Sequence, residues 1–307
     1  MDLAVLIVSW NVRDLLSACL HSVSRSLTES ASAPDGMVLE TGIWVVDNQS
    51  ADGTAEMLAA EFPAVNLLLN PENLGFAAAN NRAMIAAVAL KPRYLLLLNP
   101  DTEVRGRALE TLVRFLDTHP LAGMAGAHLI NADGSLQHSA FRFPGLIQLF
   151  LDLYPAPPRL LESSLNGRYP RRRYRPGADP FAVDHTLGAA MCLRAELVDT
   201  VGMLDTSYFM YCEEIDWAIR IRAAGWQVFC VPAAEIVHYG GQSSSQVRPS
   251  SLLHLWHSRH TLYSRHGGPI KMWLAQQLVR RAMSSRTRRE SSPALRVTYQ
   301  QIQEIWR

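Results

Sequence analysis

Over its first 130 residues, the sequence alternates short apolar runs with longer segments of helical pattern. The runs have the length of buried strands, and the segments between them include TAEMLAAEF and GFAAANNRAMIAAVAL. This alternation predicts an α/β fold, in which βαβ units form a mainly parallel sheet flanked by helices. The predicted strands are LAVLIVS, IWVVDN, VNLLLN, YLLLLN and LAGMAGAHL.

Four of these predicted strands lead into polar residues. Because the carboxyl ends of parallel strands lie at one edge of a sheet, such side chains can converge on one ligand. A single Asn or Asp is common in turns and helix caps, but four such ends favour a binding site. In chain order, the residues are Ser9 and Asn11, Asp47 and Asn48, Asn70 and Asn73, and Asn99 and Asp101.

The charge balance argues against a protein whose whole surface attracts nucleic acid. The 307 residues include 29 basic and 28 acidic side chains, and arginines cluster only locally, at 171–175 and 280–289.

The four cysteines lack metal-site spacing and lie in apolar contexts, which favours buried thiols in a reducing compartment. The apolar N-terminal run is too short for a membrane span and lacks the flanks of a signal peptide. We therefore expect a cytoplasmic protein without transmembrane segments.

The glycine pattern differs from those of dinucleotide-binding and P-loop proteins. The first strand is not followed by G-x-G-x-x-G, and the sequence has no Walker loop. The phosphates of a nucleotide would then need a metal, and Mg²⁺ typically uses one or two carboxylates together with phosphates and water. Asp101, which follows a buried strand, is the candidate carboxylate. A type I turn at Asn-Pro-Asp is the alternative explanation for this residue.

Three acidic residues begin a predicted helix within residues 184–245. Glu213, Glu214 and Asp216 all favour the helix dipole, and Asp216 has i,i+4 spacing with Arg220, so we interpret Asp216 as structural. Mutual repulsion would raise the pKa of an acid in a cleft toward that of a general base. One of the two glutamates is therefore predicted to be functional.

Three further candidates lie in the same half of the chain. His238 follows the predicted strand WQVFCV and precedes YGGQSSS, a composition that suits a mobile loop over a ligand; structural and ligand roles both remain open. Gly188 and Ala189 begin the predicted strand LGAAMCLR, and their small side chains would let a sugar or acceptor approach. Close strand packing is the alternative for both.

Seven segments of the sequence, taken in chain order, resemble the family 2 glycosyltransferases of the GT-A fold, in particular their bacterial rhamnosyltransferase-like members. The resemblance covers roughly residues 3–245 and implies a nucleotide-diphosphate sugar donor, with dTDP-rhamnose favoured. It also implies a glycan or lipid-linked acceptor in cell-surface polysaccharide synthesis, a divalent cation (Mg²⁺ or Mn²⁺), and transfer with inversion. The matching segments are VSWN, VVDNQSADGT, NPENLGFAAANN, LLLLNPDTEV, GAAMCLR, YFMYCEEIDWAIRIRAAGW and IVHYGGQSS.

The resemblance further implies residue roles. Asp101 matches the metal-binding acid of an Asp-x-Asp motif, His238 a second metal ligand, and Glu214 the catalytic base, where many members have aspartate. Asn99 replaces the first acid of the motif, which motivates an alternative function, a sugar-nucleotide-binding accessory protein without transfer activity. Gly188, Ala189 and Glu213 are expected near the acceptor or donor sugar. The predicted nucleotide-sugar-binding residues are Ser9, Asn11, Asp47, Asn48, Asn73, Gly75, Phe76, Asn80 and Asn99.

The predicted organisation is a glycosyltransferase domain followed by helices. Residues 1–245 would form the domain, with a nucleotide-sugar-binding half at 1–130 and an acceptor and catalytic half at 184–245. Residues 141–180 break the α/β pattern with aromatics, prolines and arginines, which indicates an inserted loop or lid, or alternatively an acceptor-binding surface. Residues 249–307 would form C-terminal helices and a basic tail, with SSRTRRESSP flexible.

One predicted C-terminal helix has an apolar face. Three interpretations remain open: packing on its own domain, packing on a second copy of the chain in a homo-oligomer, and peripheral contact with an anionic membrane at the inner face of the plasma membrane. The face consists of Ile270, Trp273, Leu274, Leu278 and Met283.

Overall fold

The computed structural model describes residues 1–241 and 244–307. Gln242 and Ser243, which belong to the predicted glycine-serine loop, lie outside the described residues. The first half of the chain alternates strands and helices as predicted. Its elements are β1 (Leu3–Ser9), α1 (Arg13–Ser32), β2 (Thr41–Asp47), α2 (Thr54–Glu61), β3 (Asn66–Leu69), α3 (Gly75–Val88), β4 (Tyr94–Leu98), β5 (Thr102–Val104), α4 (Ala108–Thr118) and β6 (Ala122–Ile130).

The second half adds short strands, the insert and the C-terminal helices. Its elements are β7 (Leu136–Gln137), β8 (Ala140–Phe141), α5 (Leu146–Leu153), α6 (Pro158–Leu161), β9 (Phe181–Val183), β10 (His185–Thr186), β11 (Ala190–Arg194), α7 (Leu197–Thr200), α8 (Glu213–Ala223), β12 (Gln227–His238), α9 (Arg248–His266), α10 (Gly268–Arg289) and α11 (Pro293–Ile305).

The central sheet has the strand order β3-β2-β1-β4-β11-β6-β12-β5. The first four strands are parallel, β11 runs antiparallel between β4 and β6, and β12 pairs parallel with β6 and antiparallel with β5. The predicted α/β class is confirmed, but the sheet is mixed beyond β4. Because β11 is reversed, its first residues lie at the same edge as the carboxyl end of β4, and Ala190 pairs with Leu98.

Helices cover both faces of this sheet. Along β1, Val5 and Ile7 belong to one apolar cluster with residues of α1 and α4, whereas Ala4 and Leu6 belong to a second cluster with residues of α3 and α8. Strands buried on both faces need apolar residues at every position, which explains why β1 and β4 read as continuous apolar runs. The sheet is therefore a rigid base for the residues at its edge.

The C-terminal helices form a third apolar cluster that includes α5 of the insert. Trp306 is fully buried there, and its indole Nε1 donates to the carbonyl oxygen of Trp256 at 3.0 Å. The prediction of a flexible tail is wrong, since α10 continues to Arg289 and α11 begins at Pro293. Burial of Ile302 and Trp306 supplies the apolar contacts that hold this segment as helices.

The predicted apolar face of α10 divides into two parts. Met283 is buried in the helical cluster and Leu278 packs against that cluster, whereas Ile270, Trp273 and Leu274 are 75%, 57% and 37% exposed. Packing on the chain itself therefore accounts for only part of the face. None of the helices in the described part of the chain is long and apolar enough to cross a membrane.

Candidate active site

The carboxyl edge of the sheet opens into a cavity of about 420 Å³. It receives residues from the ends of β1, β2, β4 and β12, the start of β11, the starts of α3 and α8, and the start of α9. The predicted site residues that line this cavity, called the first cavity below, are Asn48, Asn73, Gly75, Phe76, Asn99, Asp101, Gly188, Ala189, Glu213, Glu214 and His238.

Four predicted residues are not among the described residues that line it. Asn11 and Asp47 each accept a hydrogen bond from a backbone N–H of the loop between β2 and α2, at 2.8 and 3.1 Å. The amide of Asn80 donates to a carbonyl oxygen one turn earlier in α3, and the buried hydroxyl of Ser9 has no partner within the described chain. The structure thus gives Asn11, Asp47 and Asn80 local hydrogen bonds, and nucleotide binding by all four residues stays a prediction.

A network of amide side chains fixes the loop before α3. Asn48 Oδ1 accepts from Asn70 Nδ2 at 2.6 Å, and Asn48 Nδ2 donates to the carbonyl oxygen of Gly75 at 3.2 Å. Asn73 Oδ1 accepts from the N–H of Gly75 at 2.9 Å. The buried amide groups of this network are therefore paired, and they hold the start of α3 at the cavity.

Gly75 joins the two halves of the chain at this point. Its φ is +78°, and a Cβ placed there would lie 2.2 Å from the carbonyl oxygen of Phe209. The same oxygen accepts a hydrogen bond from the N–H of Phe76 at 2.7 Å. Only glycine permits both the left-handed backbone and this close approach.

Asp101 and His238 face each other at the edge of the sheet. His238 is the last residue of β12 and pairs with Thr102 of β5, and the N–H of Tyr239 donates to the carbonyl oxygen of Asp101 at 2.9 Å. The side chains are buried, and Nε2 of His238 lies 3.4 Å from Oδ1 of Asp101. The strand register therefore brings together the two predicted metal ligands.

Gln137 sets the orientation of the His238 ring. Gln137 Nε2 donates to Asn131 Oδ1 at 3.0 Å and to the carbonyl oxygen of His238 at 3.2 Å, so Gln137 Oε1 faces the ring nitrogen Nδ1 at 2.6 Å. Nδ1 must then be the donor, which leaves the lone pair of Nε2 in a neutral ring directed at Asp101. In this neutral form of the ring, Nε2 and the Asp101 carboxylate are two acceptors that face each other, an arrangement that suits a cation.

The donor set fits a divalent cation that shares its coordination with substrate. Within the described residues, no group of three or more His, Cys, Asp or Glu side chains could hold a metal ion. One carboxylate and one imidazole are nevertheless enough for an ion that takes its other ligands from phosphate oxygens and water, and Mg²⁺ is often bound this way. Sequence reasoning missed Gln137, since its role depends on contact with His238 at the end of β12, about a hundred residues further along the chain.

Two buried glutamates begin α8 inside the first cavity. The preceding residues, Tyr211 and Cys212, have φ values of 72° and 67°, an uncommon conformation for residues with side chains. Oε2 of Glu213 and Oε2 of Glu214 are buried, and neither has a hydrogen-bond partner within the described chain. The strained turn therefore places both carboxyl groups at the cavity, where one oxygen of each lacks a hydrogen-bond partner among the described residues.

Burial shifts the acidity of both glutamates. It raises the pKa of Glu214 to about 7, although backbone N–H groups at the start of α8 favour the charged form. Burial, together with the neighbouring charge of Glu214, holds the pKa of Glu213 well above its ordinary value. A carboxyl group that titrates near neutral pH is suited to general-base chemistry.

Asp216 lies on the same helix but has a structural environment. Its carboxylate accepts from Arg220 Nε at 2.8 Å, as the i,i+4 spacing predicts, and from His266 Nε2 at 2.8 Å. The second contact ties the end of α9 to α8. Asp216 thus supports the helix that carries Glu214.

Gly188 and Ala189 differ in what surrounds them. A Cβ at Gly188 would meet only ordinary contacts, at 3.9 Å from Glu214 and 4.0 Å from Phe76, so close strand packing does not require glycine there. Ala189 belongs to the apolar core, and its carbonyl oxygen accepts from the N–H of Asn99 at 2.9 Å. Space for a ligand therefore explains Gly188 better than Ala189.

The cavity also includes residues that the sequence analysis did not single out. Phe209 stacks on His254 of α9, with ring centroids 4.3 Å apart, and both line the cavity. Trp10 and Tyr211 lie within sequence segments that resemble the family, but nothing in the sequence indicates that α9 closes the site. Val247, just before α9, and Ser250 and Ser251, in its first turn, also line the cavity.

Comparison with known proteins decides the family. The model of the family named Glycosyl transferase family 2 matches residues 4–179. The chain belongs to this family. This family 2 glycosyltransferase is 30% identical over 256 residues to the N-acetylglucosaminyl-diphospho-decaprenol L-rhamnosyltransferase of Mycobacterium tuberculosis, covering 78% of this chain and 81% of the relative. It is 26% identical to the rhamnosyltransferase WbbL of Escherichia coli K12, covering 59% of this chain and 67% of that protein.

Solved structures of glycosyltransferases share the fold of this enzyme. The mannosyltransferase PcManGT from Pyrobaculum calidifontis, in complex with GDP-Man and Mn²⁺, has a TM-score of 0.56 and 16% identity over 99% of this chain and 84% of its own. GalNAc-T7 with UDP, GalNAc and Mn²⁺ has a TM-score of 0.60 and 15% identity over 98% of this chain. The match spans 54% of the GalNAc-T7 chain. The GT-A fold predicted from the sequence is confirmed.

Proposed function

We propose that this family 2 glycosyltransferase transfers L-rhamnose from dTDP-rhamnose to a hydroxyl group of a lipid-diphosphate-linked sugar, with inversion and with a divalent cation. The observation that carries the proposal is that one cavity contains both a buried carboxyl group of near-neutral pKa, Glu214, and the facing acceptors Asp101 and His238. A protein that only binds sugar nucleotides has no need of a buried carboxyl group of near-neutral pKa.

The names of the relatives support the choice of substrates. Besides the rhamnosyltransferases above, the dTDP-rhamnosyl transferase RfbF of Shigella flexneri is 23% identical over 203 residues. The mycobacterial relative is named for a diphospho-decaprenol acceptor that carries N-acetylglucosamine. We therefore assign this chain the same classes of donor and acceptor.

Asp101 and His238 would hold the cation beside the diphosphate of the donor. When bound, it supplies a Lewis acid for the negative charge that develops on the leaving diphosphate. Gln137 keeps the lone pair of His238 Nε2 directed at the site, and Asp101 contributes the only negative charge of the pair. Asn99, in place of a first acidic residue, lowers the ligand charge and lines the same cavity, where its amide can orient the ribose.

Glu214 would act as the base. As the acceptor hydroxyl attacks the anomeric carbon, the carboxylate of Glu214 takes the hydroxyl proton while the bond from that carbon to the diphosphate oxygen breaks. Attack from the face opposite the leaving group inverts the anomeric configuration, and no covalent enzyme intermediate forms. The start of α8 is buried, and bound donor and acceptor would exclude competing water from the base.

A lipid-linked acceptor places the enzyme at a membrane surface. Helix α10 exposes Ile270 and Trp273, and α5, which packs against α10, exposes Ile147 and Phe150. Lys271 of α10 donates to a carbonyl oxygen just before α5 at 2.9 Å, which holds the two helices together. Exposed aromatic and aliphatic side chains with nearby arginines suit peripheral contact with an anionic bilayer.

The proposal is tested by incubating the purified protein with a panel of nucleotide sugars, Mn²⁺ or Mg²⁺, and an alkyl-diphosphate-linked N-acetylglucosamine acceptor. We expect dTDP release from dTDP-rhamnose only, and a product whose anomeric configuration, measured by NMR, is opposite to that of the donor. Release from another sugar nucleotide would contradict the donor assignment. Retention of configuration would contradict the single displacement.

A further inference from the structure

A second cavity, of about 290 Å³, lies next to the first. The insert, the start of α8 and helix α9 form its walls. Leu187, Tyr211 and Glu214 line both cavities, so the proposed base stands between them. This arrangement gives Glu214 access to two ligands from two sides.

Three guanidinium groups line this second cavity: Arg142, Arg168 and Arg259. Arg259 forms an ion pair with Asp152 at 2.7 Å, and Asp152 is the only carboxylate besides Glu214 among the described lining residues. The Nε of Arg168 is buried and has no hydrogen-bond partner within the described chain. Arg168 Nη1 also lies 3.8 Å from Oε1 of Glu162, which is outside the cavity lining. Among the described residues, Arg142 is therefore the guanidinium of the three that has no carboxylate partner.

Arg142 is the guanidinium most available to a ligand. Its side chain is exposed and lies over the ring of Tyr169 at 5.9 Å. His185, which also lines the cavity, does not add charge, because burial lowers its pKa to about 4. Aromatic rings of Phe141 and Tyr263 complete the walls, and such rings suit the apolar face of a sugar.

We infer that the second cavity is the acceptor site and that Arg142, Arg168 and Arg259 bind the diphosphate of the acceptor, an inference that rests on the proposed function. Arginine is well suited to phosphate oxygens because its planar group donates two hydrogen bonds at once. An acceptor held there reaches Glu214 from the side that a donor in the first cavity leaves open.

Helix α5 links this site to the exposed apolar surface. Gln148, Leu149 and Asp152 line the second cavity, while Ile147 and Phe150 of the same helix are exposed. A lipid diphosphate can therefore place its charged group inside the cavity while its chain stays outside the protein, beside α5.

Two probes that differ only in the diphosphate test this inference. The first is N-acetylglucosamine joined through a diphosphate to a hexyl chain, and the second is hexyl N-acetylglucosaminide. Calorimetry on the full chain, with saturating dTDP and Mn²⁺, keeps the first cavity occupied. We expect the diphosphate probe to bind more tightly than the other probe, and Arg142→Gln to weaken its binding by about tenfold, the usual effect of losing one charge-assisted hydrogen bond.

Two matched variants separate charge from folding. Asp152→Asn removes the opposing carboxylate, so binding of the diphosphate probe should stay equal or become tighter. Arg172→Gln, at an exposed arginine of the insert outside the cavity lining, should change nothing. Equal affinity of the two probes, failure of the diphosphate probe to bind at saturating dTDP, or parental affinity in Arg142→Gln would each overturn the inference. So would equal losses in Arg142→Gln and Asp152→Asn.

Binding is measured without turnover, which keeps the two proposals distinct. A protein that binds the diphosphate probe as expected but transfers no rhamnose would support the acceptor site and contradict the proposed function.

Discussion

Glu214 is a buried carboxyl group whose pKa is about 7. If it is the base, kcat/KM should rise with pH through that value and level off above it, because only the ionised form accepts a proton. Glu214→Gln should keep donor affinity and lower turnover by ~10²–10⁴-fold. Nucleotide release across a pH series measures both effects. Glu213→Gln is the matched control and should cost less, and the reverse order would identify Glu213 as the base.

The same carboxyl group should lower stability at high pH. Its pKa is raised above the ordinary 4.5, so the stabilising contribution of the protonated form is complete below about pH 4.5 and is lost as the pH rises through about 7. At pH 8, the free energy of unfolding of Glu214→Gln should therefore exceed that of the parent protein by on the order of 2–3 kcal/mol. Urea denaturation at pH 8 and pH 4.5 measures the difference, which should largely vanish at the lower pH.

Gln137 provides a test of the metal pair that leaves both ligands in place. Gln137→Leu removes the acceptor that fixes the ring of His238, so Mn²⁺-dependent dTDP binding should weaken by roughly 10–100-fold. Gln137→Glu keeps the acceptor oxygen for Nδ1 but loses the Nε2 donor to Asn131 and to the carbonyl oxygen of His238, so it should weaken binding less than Gln137→Leu does. Asp101→Ala and His238→Ala should each weaken it at least as much as Gln137→Leu. Calorimetry with and without EDTA compares the four variants, and unchanged metal dependence in both alanine variants would rule out the pair.

At the scale of elements, the cavity has one glycine at the start of α3, Gly75, and one in the loop before β11, Gly188, and the two are there for different reasons. Gly75→Ala imposes a left-handed backbone on alanine and a contact of 2.2 Å with a backbone oxygen, so we expect a loss of roughly 2–4 kcal/mol in unfolding free energy. Gly188→Ala meets no close contact and should change stability by less than about 0.5 kcal/mol while raising the KM for the donor. Urea denaturation and nucleotide release distinguish the two. Equal destabilisation by both substitutions would indicate that Gly188 serves packing after all.

For the whole molecule, the exposed part of α10 predicts association with lipid. Replacing Trp273 and Leu274 by serine should reduce sedimentation with anionic liposomes and leave the circular dichroism spectrum unchanged. Ile85→Ser, at an equally exposed apolar residue of α3, is the control and should have no effect. If the parent protein does not sediment with such liposomes, membrane contact through α10 is excluded.

Much of the fold and part of the site could be predicted from local patterns. The strand ends predict that Asn48, Asn99 and Asp101 share one site, and all three line the first cavity, since apolar runs followed by polar residues are a local signal. Ser9 and Asp47 share that signal, but they are not among the described residues that line the cavity. The pattern of apolar and polar residues shows where a strand ends, but it does not reveal which way a terminal side chain points. The family resemblance, rather than any pattern, singled out Glu214 over Glu213.

Long-range packing explains what the sequence analysis missed. Helix α9 lines both cavities, yet its sequence shows only an ordinary helical pattern. The segment SSRTRRESSP, residues 284–293, is rich in arginine and serine, which indicates disorder by composition. Most of it is nevertheless helical, because α11, which carries buried Ile302 and Trp306, packs with α10. Such contacts join segments far apart in the chain, and no local window contains them.

The pairing of β5 with β12 has a consequence for motion. β5 is a three-residue strand at the end of the sheet order, and Asp101 precedes it directly. Local opening costs less free energy than global unfolding, and the cost is highest for the central strands of a core. If β5 detaches, Asp101 moves away from His238, so cation binding and closure of this edge are coupled. A bound cation would then slow the exchange of amide hydrogens in β5 with solvent far more than in the central strands β1 and β4.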